Sequence, residues 1–272
     1  MTVGTAGLPR QLAPGILWLG DCMKIPVGKL LTHSYTSMYV VSGRRFSLLV
    51  DTGPPKDWRE IEAQLDELIV HGRIAPVRYL VPTHPEVAHA GNLGRLLQKF
   101  PDAVAIGEMR DYHLVFPEFA GRMHAAPAGH ELDLGGRRVR LMPAIFRDLG
   151  ASIWAYELME AVLFPGDGFS YTHYHGAGDC GKTAEELPDN PLEEFTAVYS
   201  DAAFYWTRYC DVEPVISELE TLFAEVDIRV VAPAHGAPIT DPATVLPKIA
   251  EGLRLGQQMD RAALGVRLLE RR

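Results

Sequence analysis

The residues Thr83-His84-Pro85-Glu86-Val87-Ala88-His89-Ala90-Gly91-Asn92 put two imidazoles and a carboxylate into ten positions. His84 and Glu86 are two apart, so extended backbone projects them to the same side. His89 follows after the chain has turned. Pro85 works against a helix through the segment, which separates it from the His-Glu-x-x-His helix of zinc proteases. Imidazole with carboxylate suits zinc, iron or manganese and does not suggest calcium. Taken alone, these residues read equally well as ordinary loop or core histidines.

Two later segments weigh for metal. Val162-Leu163-Phe164-Pro165-Gly166-Asp167-Gly168 is an apolar run ending in Asp, and Val230-Val231-Ala232-Pro233-Ala234-His235-Gly236 is one ending in His. Asp51-Thr52-Gly53 follows a third apolar run, Phe46 to Val50. Val77 to Pro82 reads as a buried strand before the first cluster, and Leu93 to Phe100 as a short helix after it. Ligand-type side chains therefore stand at strand ends, where a rigid scaffold holds loops open to solvent.

Strand-Asp-x-Gly, His-x-Glu-x-x-His, a late Asp and a last His-Gly, in that order, resemble the metallo-β-lactamase superfamily over nearly the whole chain. The resemblance implies an α/β fold (an α+β sandwich) of four αββα layers, one domain over residues 1–272, and metal ligands His84, Glu86, His89, Asp167 and His235. Glu86 resembles the branch with His-x-Glu-x-Asp-His, the di-iron domain of flavodiiron and oxygen-binding di-iron proteins. The segments around Asp167 and His235, Ile16 to Asp21 and Ser37 to Val41 resemble that branch too. The branch implies iron, one or two ions, with zinc or manganese as alternatives. It also implies oxygen or nitric-oxide redox chemistry, a small-molecule substrate and a homodimer. Its first metal takes a His, the Glu, a middle His and a bridging Asp. Its second takes an Asp, the next His, the bridging Asp and the last His.

The chain departs from this pattern twice. Ala88 stands where the second metal's Asp belongs, and Pro143-Ala144-Ile145-Phe146-Arg147-Asp148, where the middle His belongs, has no His. His89, Asp167 and His235 still form a two-His-one-carboxylate set, which suits a single Fe(II) with open positions. His84 and Glu86 either join that ion or stand behind it. Asp148 either replaces the lost His as an oxygen ligand or pairs with Arg147 in an exposed loop; Arg147, if turned inward, would add a positive charge. Three functions follow: a metal-dependent oxidoreductase; a metallohydrolase activating water on an ester, thioester, lactone or phosphoester; and a binding protein with a decayed site. Five retained ligand-type residues argue against the last.

Phe169-Ser170-Tyr171-Thr172-His173-Tyr174-His175 follows Asp167 directly. Its histidines either approach the metal, as replacement ligands or acid–base groups beside Asp167, or pack at a subunit contact. The polar stretch 176–191 reads as a lid. Lys24 to Tyr35 reads as a long loop carrying His33 and Tyr35. Tyr199, Phe204, Tyr205, Trp206 and Tyr209 form an aromatic group suited to core or dimer packing.

Composition supplies bounds. At 272 residues with 47% hydrophobic content, the chain has material for a large core. A formal net charge of −9 makes no case for nucleic acid or an anionic membrane. Cys22, Cys180 and Cys210 show no paired spacing and read as reduced thiols in a cytoplasmic protein. Residues 1–11 have no apolar signal core. No flavodoxin-like stretch follows the last His, so electrons are expected from a separate donor.

Overall fold

The computed structural model describes residues 7–176, 178–187 and 191–258, with Ala263 and Val266. Among the described residues, twelve strands form two sheets. The first orders β1 (Arg10–Ala13), β2 (Ile16–Val27), β3 (Leu30–Ser42), β4 (Ser47–Val50), β5 (Val77–Val81), β6 (Val104–Gly107) and β7 (Met123–Ala125) in sequence order. Its first four strands are antiparallel neighbours, and pairing turns parallel from β4 onward. The second sheet comprises β8 (Glu131–Asp133), β9 (Arg138–Pro143), β10 (Ile153–Glu157), β11 (Val162–Phe164) and β12 (Val230–Val231). There β11 and β12 run parallel.

Alternation along the strands explains the layering. Ile16, Trp18, Tyr39 and Val41 face the core shared with the second sheet. Leu17, Leu19, Met38 and Val40, one residue out of phase, face the core shared with helices α1 (Trp58–Val70), α2 (Val87–Ala90), α3 (Leu93–Lys99) and α4 (Tyr112–Val115). A strand stretch buried on both faces reads as a continuous apolar run, as residues 16–19 and 38–41 do. Helices α5 (Leu192–Ala203), α6 (Glu213–Glu225) and α7 (Pro242–Gln258) carry buried faces into the core of the second sheet. This is the expected mixed α/β architecture of two packed sheets with helices outside.

Parallel pairing brings the ligand-bearing ends together. Val50 is registered with Val81, and Leu163 with Val231, so Asp51, His84, Asp167 and His235 all follow strand ends on one rim. Backbone bonds stitch the rim: Ile153 N–H donates to Thr83 O at 2.8 Å, Ala234 N–H to Gly166 O at 2.8 Å, and Ser37 N–H to Ala234 O at 2.9 Å. Gly166 is required there. Its φ is +57°, and a Cβ would lie 2.6 Å from Thr83 Oγ1.

Two expectations change. Lys24 to Tyr35 is not a loop: β2 and β3 pair from Ile16↔Val41 to Val27↔Leu30, and only Gly28 and Lys29 turn. The alternation is masked there because Lys24, Pro26 and Leu31 lie toward the exposed end of the hairpin. The lid expected over 176–191 falls partly on residues 177 and 188–190, outside the described residues. Within 178–187 the chain is tied down, by Gly181 N–H to Tyr35 Oη at 2.8 Å and by a bidentate Arg10–Glu186 pair at 2.6 and 2.8 Å. The terminal helix is described to Gln258; its Arg-rich end lies outside the described residues. Among the described residues no helix is long and apolar enough to cross a membrane.

Candidate metal centre

His89 sits at the middle of the rim, wholly buried. Asp51, with a left-handed φ of 60°, turns its carboxylate into the sheet end. Such backbone is sparsely populated for a side-chain-bearing residue and persists where surrounding bonds hold it. Here Asp51 Oδ1 accepts Thr83 N–H at 2.7 Å and Thr83 Oγ1–H at 2.8 Å, and Oδ2 accepts His89 Nδ1–H at 2.9 Å. Asp51 thus holds the ligand loop. Donation from Nδ1 leaves His89 Nε2 with its lone pair facing inward.

The other imidazoles are oriented in the same way. His235 Nδ1–H donates to Tyr35 O at 2.6 Å. Thr83 Oγ1 spends its proton on Asp51, so His84 Nδ1–H donates to it at 3.2 Å. Both leave Nε2 inward. Asp167 Oδ1 lies 2.9 Å from His89 Nε2 and 3.5 Å from His235 Nε2. The His89 approach is close but not aligned as a hydrogen bond; His84 Nε2, His89 Nε2 and Asp167 Oδ1 are all buried without a hydrogen-bond partner. Two ligands about 2.1 Å from one cation are separated by ~3.0 Å at a right angle and ~3.4 Å at the tetrahedral angle. The residues fit a metal ion: their facing lone pairs are those a cation would bind, at separations it would impose.

Electrostatics agree. Burial disfavours charge on His89, but Asp51 and Asp167 on its two sides push its pKa well above the usual imidazole range. Burial also works against charge on Asp167, yet His89 and His235 hold its carboxyl well below the usual range. A buried centre flanked by two carboxylates calls for positive charge, from a proton or a metal ion. His84 is pushed down to about 3 by burial and by His89, so it is neutral and able to ligate. Burial likewise lowers His235, against the pull of Asp167.

His84, Glu86, His89 and Asp167 each offer a ligand atom, all mutually within 4.8 Å, with Glu86 at the exposed rim. His235 joins through Asp167. Asp148 joins them as well. Its Oδ2 lies 3.7 Å from His84 Nε2, its Oδ1 is buried and unpartnered, and burial with the Asp167 and Glu86 charges pushes its pKa up to about 6. It does not pair with Arg147, which stays exposed and donates to Ala144 O at 3.2 Å. Asp148 therefore lies beside His84 at the site.

Tyr199 is the residue whose role sequence reasoning missed. Its hydroxyl donates to Asp167 Oδ2 at 2.7 Å, and both groups are buried. The aromatic group around it is an ordinary packing signal; only the bond to Asp167 distinguishes it. His173 and His175 are not brought to Asp167. They gather with Cys22 in a separate group. His84, Phe146, Arg147, Asp148 and Asp167 line a tight crevice at the site. Phe146 is backed by Phe204 and Trp206, with ring centroids at 4.1 and 5.6 Å.

The chain matches the model of the metallo-beta-lactamase superfamily over residues 31–181. It is 22% identical over 250 residues to a coenzyme F420H(2) oxidase of Methanothermobacter marburgensis, covering 87% of this chain and 59% of that protein. It is 27% identical over 256 residues to an anaerobic nitric oxide reductase flavorubredoxin of Klebsiella pneumoniae, covering 87% and 49%. Among solved structures, the flavodiiron protein of Giardia intestinalis superposes with a TM-score of 0.72 at 18% identity, covering 91% of this chain and 59% of that one. The chain thus spans about half to three fifths of the length of these relatives.

Proposed function

This chain belongs to the metallo-beta-lactamase superfamily, and we propose that within it the protein is an iron-dependent oxidoreductase acting on oxygen or nitric oxide. One iron ion is held by His89, Asp167 and His235, and electrons come from a separate donor. The relatives named for oxidation of a reduced coenzyme and for nitric oxide reduction support the reaction class. The observation that carries the single ion is the division of labour on Asp167. Oδ1 faces His89 and His235, while Oδ2 is occupied by the Tyr199 hydroxyl. A carboxylate so engaged offers one oxygen, and Ala88 offers no ligand beside His89.

Two imidazoles and one carboxylate leave open positions on ferrous iron. When bound, iron supplies the one-electron chemistry that the protein's own side chains lack. The residues do the rest. Asp51 and the Tyr35 carbonyl fix the tautomers of His89 and His235. Phe146, 2% exposed, walls the crevice and limits water. Asp148, with its pKa near 6, holds a proton on a carboxylate oxygen beside His84 at mildly acid pH, below about 6. Reduction of either diatomic consumes protons, and Asp148 is placed to supply them. His84 and Glu86 complete the anionic, imidazole-lined side of the same cavity and are the ligands available to any further ion.

We further infer a cytoplasmic setting, supported by cysteines that form no disulfide, and a homodimer, supported by the exposed Tyr205 and Tyr209. Metal analysis tests the site. Protein purified without chelators should hold one iron per chain in this centre, lost in His89→Ala and in His235→Ala with the fold intact by circular dichroism. Iron retained in both variants would overturn the ligand assignment.

A further inference from the structure

A second group of ligand-type side chains lies on the other side of Tyr35 from the iron centre. Cys22 on β2, His33 on β3, and His173, His175 and Cys180 on the segment after Asp167 converge there. Cys22, His173 and His175 each offer a ligand atom, all mutually within 4.8 Å. Cys22 Sγ lies 3.3 Å from His175 Nε2 and 3.3 Å from His33 Nδ1, and Cys180 Sγ lies 3.6 Å from His175 Nε2. His173 is 0% exposed, and neither of its ring nitrogens has a hydrogen-bond partner. A buried imidazole with both nitrogens unsatisfied is costly unless something else binds it.

We propose that Cys22, His173 and His175 form a zinc site, separate from the iron centre, which Cys180, close to His175 but outside that 4.8 Å group, closes by moving in as the fourth ligand, with His33 hydrogen-bonded to the Cys22 sulfur. Two thiolates and two imidazoles are a closed tetrahedral zinc set, and with Zn–S near 2.3 Å and Zn–N near 2.05 Å the sulfur–nitrogen edge is ~3.5 Å. The recorded sulfur–nitrogen separations of 3.3 and 3.6 Å bracket that edge. Thiolate with imidazole selects zinc over the harder cations that the carboxylate-rich centre accepts. Binding displaces one proton from each thiol and leaves no open position for substrate.

The site has a structural consequence. It clamps the β2–β3 hairpin to the chain that leaves Asp167, through the backbone bridge already made by His33 and His173 at 2.7 and 2.8 Å. It also reaches the iron centre through one residue. The Tyr35 ring stacks on His173 at 5.1 Å, and the Tyr35 carbonyl accepts His235 Nδ1–H. Loss of zinc would loosen the group that orients His235.

The test uses the whole protein. Zinc and iron are counted by plasma mass spectrometry after purification without a metal-affinity tag. An organomercurial reagent, which takes thiolates, is then added to the wild type. Release of one zinc per chain with retention of iron is expected. Cobalt(II) replacing zinc should give a thiolate-to-cobalt charge-transfer band, present in the wild type and in His89→Ala and lost in Cys22→Ser/Cys180→Ser. The wild-type readings stand even if the double variant misfolds. A cobalt spectrum without the thiolate band would overturn the site. So would a Cys22–Cys180 disulfide in peptide maps of the freshly purified protein.

Discussion

The Tyr199 hydroxyl donates to Asp167 Oδ2 at 2.7 Å inside the core, and this bond decides which carboxylate oxygen faces the imidazoles. Burial and the Asp167 charge push the Tyr199 pKa well above its usual value, so it remains a donor at any physiological pH. Hydrogen bonds to charged groups contribute about 1.5–3 kcal/mol. Tyr199→Phe should therefore release Asp167 and weaken iron binding by about 10- to 100-fold. Competition against a chromogenic chelator measures it; unchanged affinity in a folded variant would remove Tyr199 from the account.

Asp51 acts one step behind the metal. Asp51→Asn keeps the shape and tolerates the left-handed φ, but it cannot offer two anionic acceptors to Thr83 and His89. Iron affinity should fall by about 10- to 100-fold while the thermal transition stays cooperative. Differential scanning calorimetry beside the chelator competition separates this from global unfolding.

Ala88 lies immediately before His89, at the position where the resembling branch has an acidic ligand. Ala88→Asp supplies a carboxylate for a second ion that His84, Glu86 and Asp148 already half surround. The expected result is a rise in iron content from one toward two per chain, read by plasma mass spectrometry and by Mössbauer spectroscopy. Content fixed at one would mean that the engagement of Asp167 by Tyr199, rather than the missing Asp, sets the stoichiometry.

The Arg10–Glu186 pair pins β1 to the chain beside Cys180. Its hydrogen bonds hold Glu186 down at about 2, from an ordinary value of 4.5. The folded pKa is the lower one, so the stabilisation is present above about 4.5 and is lost as pH falls toward 2. Solvent exposure limits it to about 0.5–1 kcal/mol. Urea midpoints of wild type and Glu186→Gln should differ near neutral pH and converge as pH falls through that window.

Much of the fold and part of the site are legible in the sequence, for identifiable reasons. Apolar runs ending in Asp51, Asp167 and His235 carry both the strand and the ligand, so pattern and chemistry coincide. Lys24 to Tyr35 hides its strands because a hairpin end in solvent tolerates Lys, Pro and exposed Leu. Asp148 is readable only as a residue in the right segment; its turn toward His84 depends on packing behind Phe146. Tyr199 and the Cys22–His173–His175 group are long-range contacts between elements far apart in the chain, and periodicity has nothing to say about them. His173 and His175 show the limit most clearly. Their spacing beside Asp167 suggests one site, while the chain carries them past Tyr35 into another.

The central claim is that the His89–Asp167–His235 centre performs iron redox chemistry. The most direct measurement is uptake of oxygen or nitric oxide by ferrous-loaded protein with a chemical reductant, followed with a gas electrode. The expected result is reductant-coupled uptake by the iron form, none by protein carrying zinc in this centre, and at least about 100-fold less by His235→Ala. No uptake by fully iron-loaded protein, with chelator-sensitive hydrolysis of chromogenic esters by the zinc form, would contradict the claim and make the protein a metallohydrolase.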